Sequence, residues 1–124
     1  KIFKELQNSK NKGYNQIHFF GGEITLRKDF LKIISFSNKL FDKVVITSNG
    51  RLFSYEHFVD KLSKIGMDCI NISLHGHTKE LHESWTRTPN SFEETVEGIK
   101  NLIKKGLTVN INCVVWKGNK DYLK

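Results

Sequence analysis

Short apolar runs alternate with longer amphipathic segments along this chain. Runs at residues 17–20, 44–47, 69–74 and 109–115 place apolar side chains on consecutive or alternate positions, a pattern that predicts strands. Between these runs, apolar residues recur at intervals of three and four, which predicts helices that each bury one face. One helix is predicted over residues 1–10. The buried faces of the other three are predicted to be Phe30, Ile33, Ile34, Leu40 and Phe41, then Phe58, Leu62 and Ile65, then Val96, Ile99, Leu102 and Ile103.

Polar residues and glycines mark where the predicted helices begin and end. Ser54 is positioned to cap one helix, and Ser91 with Glu94 three residues later has the spacing of a capping box. Gly66 and Gly106 follow the last apolar positions of these two helices, where glycine commonly ends a helix.

The order strand, helix, strand, helix predicts right-handed crossovers and a parallel sheet, so the expected fold class is α/β. Links from helix to strand are short, whereas links from strand to helix are polar and include a long predicted loop over residues 75–90. Functional loops collect in this way at the C-terminal ends of barrel strands. A dinucleotide-binding sheet would need Gly-x-Gly-x-x-Gly after its first strand, which this sequence lacks. We therefore expect parallel βα repeats that form part of a TIM-type barrel, about four strands of it.

Composition is consistent with a single domain over residues 1–124. The net charge is +7, but the lysines are spread over the helical segments without a basic stripe, which disfavours nucleic-acid binding. Cys69 and Cys113 lie in separate apolar runs, which predicts buried free thiols and, by default, a reducing cytoplasm. No window of 18 apolar residues and no charged-then-apolar leader occurs, so we expect neither a membrane span nor a signal peptide in these residues.

The stretch over residues 18–23, His-Phe-Phe-Gly-Gly-Glu, carries the clearest chemical signal. It leads an apolar strand into two glycines and a carboxylate. Gly21 and Gly22 permit positive φ and close approach of a ligand, and Glu23 is placed at the mouth of the predicted sheet. Two further strands end in polar turns, at residues 48–50 and 73–76, which should reach the same edge.

Together these three turns resemble those of the radical S-adenosylmethionine (radical SAM) enzymes. Residues 21–23 are similar to the family's Gly-Gly-Glu motif, residues 47–50 to its Thr-Asn-Gly stretch, and residues 73–76, Ser-Leu-His-Gly, to its Ser-Leu-Asp-Gly. The resemblance covers nearly all of the chain. It implies a partial (β/α)6 barrel that binds S-adenosylmethionine.

The resemblance also implies roles for individual residues. Glu23 and the backbone of Gly21 and Gly22 would accept hydrogen bonds from the methionine amino group, a task suited to charge-assisted acceptors. Arg87 matches an arginine that many relatives place near the cofactor's carboxylate, which a guanidinium can bind bidentately. The other implied cofactor-binding residues are Ser48, Asn49, Ser73 and His75, of which His75 stands where the family usually has Asp.

The family's Cys-x3-Cys-x2-Cys loop has no counterpart in this sequence. Three thiolates of that loop hold a 4Fe-4S cluster. In an intact parent, the resemblance implies that the reduced cluster cleaves S-adenosylmethionine, and that the 5'-deoxyadenosyl radical then abstracts hydrogen from a small molecule or a peptide. Cys69 and Cys113 are not placed to replace the loop, and the helix over residues 1–10 resembles the one that follows it. We expect the 124-residue chain to bind no cluster and to be inactive alone.

Two other classes of function stay open. His75 and His77, with His82 nearby and Glu23 from another strand end, fit the ligand types of a metal-dependent barrel hydrolase. The second alternative is a non-catalytic interaction domain. The concentration of polar residues at the strand ends argues against it. We also expect self-association, because a barrel cut before its first strand and after its fourth would expose sheet edges and an apolar concave face.

Overall fold

A computed structural model describes residues 1–123 as parallel βα repeats. The strands in this part of the chain are β1 (Gln16–Phe19), β2 (Lys43–Ser48), β3 (Cys69–Ser73) and β4 (Val109–Asn112). The helices are α1 (Ile2–Asn11), α2 (Phe30–Leu40), α3 (Glu56–Ile65), α4 (Lys79–Thr86) and α5 (Ser91–Lys104). Short 3-10 turns lie at Ile24–Leu26, Arg51–Ser54 and Lys120–Tyr122. No helix among residues 1–123 is long and apolar enough to cross a membrane.

The four strands form one parallel sheet in the order β1-β2-β3-β4, which confirms the predicted fold class. Consecutive parallel strands joined by right-handed crossovers carry their helices on one face. The core lies between that face and the helices. Its fully buried side chains include Phe30, Ile33, Ile34, Val44, Ile46, Phe53, Val59, Leu62, Ile70, Ile72 and Leu102.

Apart from Val45, the other face of the sheet is polar, so the expectation of an apolar concave face was wrong. The other apolar residues of β2 and β3 alternate toward the helices, which leaves most of the opposite positions to side chains that hydrogen-bond. His18 Nε2 lies 2.8 Å from Thr47 Oγ1, and Asn110 Nδ2 lies 3.4 Å from Asn71 Oδ1. The polar residues of this face are Gln16, His18, Thr47, Cys69, Asn71, Ser73, Asn110 and Asn112. Self-association through the sheet edges stays a prediction.

Two predicted helix caps do not form. Ser54 donates its hydroxyl hydrogen bond to the Arg51 carbonyl inside a 3-10 turn, and α3 begins after Tyr55. Ser91 lies inside α5 and is 2.8 Å from Thr86 Oγ1, because the preceding Asn90 takes the capping position with φ +64°. Both hydroxyls instead bond to groups three and five residues earlier in the chain.

Three other element predictions need correction. The segment over residues 75–90 contains the two-turn helix α4, although it was predicted to be a loop. β4 ends at Asn112 instead of Val115, since Val114 donates its backbone N–H to a histidine ring and leaves the ladder. Ile103 is 60% exposed and does not belong to the buried face of α5.

Gly98 sets the distance between α5 and the turn Arg51–Ser54. A Cβ atom at Gly98 would lie 2.2 Å from the Gly50 carbonyl oxygen and 3.1 Å from Phe53 Cβ. We therefore expect Gly98→Ala to lower the free energy of unfolding by about 1–3 kcal/mol, because the two elements must separate. This cost exceeds the gain of about 1 kcal/mol that alanine brings to a helix interior. Urea unfolding followed by circular dichroism measures the difference.

The control for this prediction is Ile103→Ala on the same helix. Ile103 is exposed, so its replacement should change the unfolding free energy by no more than about 0.5 kcal/mol. A Gly98→Ala variant at least as stable as the parent would contradict the close packing of α5 on the turn.

Candidate functional site at the strand ends

Glu23 follows β1 and its carboxylate is fixed by the neighbouring strand end. Oε1 accepts hydrogen bonds from Thr25 N (3.2 Å), Thr25 Oγ1 (2.6 Å) and Ser48 Oγ (2.8 Å). Oε2 accepts one from Asn49 N (2.7 Å). Glu23 thereby caps its own 3-10 turn and joins the end of β1 to the end of β2. The side chain is oriented before any ligand arrives.

The turn after β2 displays Asn49 at the mouth of the sheet. Ser48 Oγ accepts from Gly50 N (3.0 Å), and Gly50 has φ +79°, a conformation that favours glycine. Asn49 Oδ1 accepts from Arg51 N (3.0 Å), while the Asn49 carbonyl accepts from Thr95 Oγ1 (2.9 Å). The Asn49 side chain is exposed. The backbone of its turn is fixed by hydrogen bonds to Glu23, to Thr95 and to the Asn49 side chain itself.

One cavity of about 220 Å³ opens beside Glu23, and we call it the acidic cavity. Its polar lining contains two carboxylates and one guanidinium, and Arg51 Nε donates a hydrogen bond to Glu94 Oε2 within it. This bond raises the pKa of Arg51 above its ordinary value. The lining residues are Glu23, Leu26, Asn49, Arg51, Leu52, Tyr55 and Glu94. The cavity is suited to a cationic group.

A second cavity of about 220 Å³ shares Asn49 and Arg51 with the first, and we call it the donor cavity. It extends beneath the end of β3 to the start of α5. Its lining contains one guanidinium and no carboxylate, with hydroxyl and imidazole groups around it. The lining residues are Asn49, Arg51, Ser73, His75, His82, Thr86, Thr88, Ser91 and Thr95.

Two histidines of the donor cavity each accept a hydrogen bond from a backbone N–H. His82 Nδ1 accepts from His75 N (3.0 Å), and His75 Nδ1 accepts from Val114 N (3.1 Å). The rings stack with centroids 5.9 Å apart. Burial lowers the pKa of both rings, and for His82 the neighbouring His75 lowers it further while Glu83 raises it. Both imidazoles are therefore neutral with the proton on Nε2.

The geometry does not assemble the histidine metal site that the sequence suggested. His77 is exposed and contacts Tyr122, with ring centroids 5.2 Å apart, while His75 and His82 are buried. Among residues 1–123, no group of three histidine, cysteine or acidic residues is arranged to hold a metal ion. A hydrolytic zinc site of the usual kind needs three protein ligands, so this alternative has no support in the described residues.

Arg87 lies outside the two cavities although the sequence predicted a role for it, and Arg51 lines both although the sequence did not indicate it. Arg87 is exposed at the end of α4 with φ +53°, and it lines neither cavity although Thr86 and Thr88 do. Arg51 lines both cavities, and sequence reasoning missed it. Its position directly after the turn at residues 48–50 was the available signal.

The two glycines before Glu23 form an open approach to the site. Gly21 has φ +112°, and neither Gly21 nor Gly22 has an atom within 4 Å of where a Cβ would stand. Gly22 and Glu23 also border a more open apolar recess of about 350 Å³ beside α1. A ligand can therefore reach the backbone at this point without displacing a side chain.

Fold and site define a partial α/β barrel whose candidate ligand-binding groups lie at the C-terminal ends of parallel strands. Residues 1–121 match the family model of the radical SAM superfamily, and the chain belongs to that superfamily. It is 36% identical over 115 residues to a probable GTP 3',8-cyclase of Saccharolobus islandicus, covering 91% of this chain and 36% of that protein. It is 31% identical over 108 residues to an AdoMet-dependent heme synthase of Oleidesulfovibrio alaskensis, covering 87% and 28%. The chain thus spans about a third of the length of such relatives.

A solved structure of anSMEcpe with bound AdoMet and a Kp18Cys peptide has the same fold. Its TM-score to this chain is 0.79 at 21% identity, over 98% of this chain and 36% of that one. This likeness concerns the fold, and it agrees with the parallel sheet and its partial-barrel order.

The residues present do not fit the 4Fe-4S cluster that the family implies. The sequence has two cysteines, fewer than the three thiolates that the family's cluster loop supplies. Cys69 lies at the start of β3, where Asn110 Nδ2 is 3.1 Å from its sulfur, and Cys113 follows β4. Both are half-buried free thiols.

Proposed function

We propose that this chain binds S-adenosylmethionine at the C-terminal edge of its sheet, with the cofactor's ammonium group at the Glu23 carboxylate. The orientation of Glu23 carries the proposal. Oε1 accepts three hydrogen bonds within the chain, whereas Oε2 accepts one among the described residues. A carboxylate oxygen has two lone pairs, so Oε2 can accept a further donor. A preoriented carboxylate needs no rearrangement to receive an ammonium group.

The charges of the acidic cavity support the same orientation of the cofactor. Glu23 and Glu94 bring two negative charges, against one positive charge on Arg51. The ammonium and the sulfonium of S-adenosylmethionine are both cationic. The carbonyl groups of Gly21 and Gly22 are proposed as additional acceptors, since the open space around both glycines leaves their backbone accessible.

The other residues of the proposed site divide into supporting and contacting roles. Ser48 supports Glu23, because its hydroxyl hydrogen bonds to the carboxylate. Asn49, Ser73 and His75 border the donor cavity and are proposed to face the cofactor directly. Arg87 stays in the proposal through the family resemblance alone.

We further propose that the chain is the cofactor-binding part of a radical SAM enzyme in a longer protein. The 124 residues do not contain three thiolates for a cluster. The chain alone is therefore expected to bind the cofactor without cleaving it. Its relatives are named for different reactions, and the proposal assigns none of them to this chain.

Isothermal titration of the chain with S-adenosylmethionine tests the cofactor proposal. Glu23→Gln keeps the side-chain shape and removes the charge, so we expect it to weaken binding about 10- to 100-fold, equivalent to about 1.5–3 kcal/mol for a hydrogen bond to a charged group. A matched replacement, Glu97→Gln, lies on the exposed part of α5 and should leave the affinity unchanged.

A second ligand separates this effect from damage to the fold. 5'-Methylthioadenosine lacks the amino acid end of the cofactor, so its affinity should be the same for the parent chain and for Glu23→Gln. Equal S-adenosylmethionine affinity in both proteins would contradict the role of Glu23, and an absence of binding to the parent chain would refute the proposed function.

A further inference from the structure

The outer surface of the helix layer carries an open groove of about 490 Å³ along α2, and we call it the helix groove. Its floor is α2, and its walls are α1 and α3, which both pack against α2. The wall residues that border it are Phe3 of α1 and Ile65 of α3. The helix groove shares no lining residue with the acidic cavity or the donor cavity, so a partner bound there would not depend on the cofactor.

The apolar side chains of the helix groove are only partly covered. Leu31 and Phe36 lie on the side of α2 that faces away from the buried residues Ile33 and Ile34. The Phe36 ring contacts the Phe3 ring edge-on, with centroids 5.1 Å apart, which holds the α1 wall against the floor. An apolar recess bordered by polar residues is typical of surfaces that bind a partner.

Ser35 gives the helix groove its depth. It lies one turn after Leu31 and one turn before Lys39 on the outward side of α2. Its small side chain leaves space between these two longer ones. A leucine-sized side chain that projects from a partner helix is the usual occupant of such a space between helices.

Two lysines border the helix groove, and no carboxylate does. Lys32 and Lys39 are seven residues apart, so they lie on the same side of α2 about 10 Å apart along its axis. Neither forms an ion pair within residues 1–123. Asp29 lies near enough to Lys32 for the charge to lower the pKa of its carboxyl, but that carboxylate is hydrogen-bonded to Arg27. The helix groove is therefore apolar along its floor and positively charged at its border.

We propose that the helix groove binds an acidic amphipathic helix of a partner protein, lying along α2 with its apolar face inward. A helix in this position inserts an apolar side chain beside Ser35 and brings carboxylates two turns apart to Lys32 and Lys39. A basic helix would place like charges together, which opposes binding. A flat lipid surface is less suited, because the apolar side chains are recessed between two helices and do not project from the surface.

Fluorescence anisotropy with a designed helix tests the proposal. The probe is a labelled peptide of about 18 residues, long enough to form a helix on binding, with leucines on one face and glutamates on both flanks. A second peptide keeps the leucines and has lysine in place of every glutamate. Both peptides are titrated with the parent chain, Lys32→Glu/Lys39→Glu, Ser35→Tyr and the control Lys100→Glu/Lys117→Glu, whose lysines are exposed and lie outside the helix groove.

We expect the parent chain to bind the glutamate peptide more tightly than the lysine peptide. Lys32→Glu/Lys39→Glu should weaken binding of the glutamate peptide about 10-fold at low salt and reverse the preference between the peptides, because each attraction becomes a repulsion. Salt at about 0.5 M should reduce both effects, since it screens exposed charges. Ser35→Tyr fills the helix groove and should weaken binding of the glutamate peptide about 10-fold or more, as for the loss of one buried leucine. The control variant should match the parent chain.

Circular dichroism establishes that each variant is folded, and the parent chain's preference between the two peptides decides the question if a variant is not. Equal affinity for both peptides, no binding of either, or an equal loss of affinity in the control variant would refute the proposal. Two other occupants would also overturn it. A dimer of the parent chain in sedimentation that Ser35→Tyr abolishes would assign the helix groove to a second copy. Binding of the parent chain, but not of Ser35→Tyr, to vesicles that contain phosphatidylglycerol, without binding of the glutamate peptide, would assign it to a lipid surface.

Discussion

Replacing Asn101 with aspartate is expected to lower the free energy of unfolding by about 3–5 kcal/mol, the range for an uncompensated buried charge. Asn101 is 4% exposed on α5, and its Nδ2 donates to the carbonyls of Phe53 (3.0 Å) and Ser54 (3.1 Å). Aspartate has no hydrogen to donate at neutral pH and would direct a negative charge at two carbonyl oxygens. These carbonyls belong to the turn that begins with Arg51.

Chemical denaturation of Asn101→Asp, Asn101→Ala and Asn8→Asp measures the separate contributions. Asn101→Ala leaves the two carbonyls without their donor but adds no charge, so its cost should be intermediate, about 1–3 kcal/mol. Asn8→Asp makes the same chemical change at an exposed position of α1 and should stay within about 0.5 kcal/mol of the parent. If the three variants are equally stable, Asn101 does not hold the turn.

The strands were predictable because a buried parallel strand appears in the sequence as a short run of apolar residues. Val44 and Ile46 face the helices with no exposure, and Val45 between them is also apolar, so the run reads as a buried parallel strand. The even alternation of such runs with amphipathic segments fixed the parallel order. These features depend on neighbours close in sequence.

The polar concave face was missed because a strand's two faces are interleaved in the sequence. Asn71 and Asn110 were present in runs that looked apolar overall, yet the register places them side by side on β3 and β4. Counting apolar residues in a run hides this division, whereas reading alternate positions separately would have shown it. The error concerned which face each residue occupies.

The missed site residue Arg51 depends on a partner distant in sequence. It becomes part of the site through Glu94, 43 residues later. Glu23 was identified because its motif is contiguous, but the hydrogen bonds that orient it come from Ser48 and Asn49 on the next strand. Local sequence patterns identified the carboxylate, and tertiary contacts determined its surroundings.

Acidification from pH 8 to pH 5 is expected to destabilise the chain through His75 and His82. Burial lowers the pKa of both rings below the ordinary value of about 6.5. Once the pH falls below 6.5, the unfolded chain takes up protons at these residues that the folded chain does not. Their contribution to stability is therefore complete above pH 6.5 and is lost as the pH falls toward the folded-state pKa values. Two protons correspond to a maximum slope of about 2.7 kcal/mol per pH unit.

Beside burial, both Nδ1 atoms accept backbone hydrogen bonds, from His75 N and Val114 N, and this geometry also opposes protonation. A protonated ring would turn each acceptor into a donor that faces another donor. The pKa of some carboxylates, such as Asp29 and Asp60, is lowered, and the stability they contribute is lost as the pH falls through and below about 3.8. Their titration therefore lies below the range from pH 8 to pH 5 in which the histidines are measured. Urea unfolding at half-unit intervals from pH 8 to pH 5 measures the slope. His82→Asn should reduce the slope by up to one proton, and an unchanged slope in that variant would mean that folding does not lower the pKa of His82.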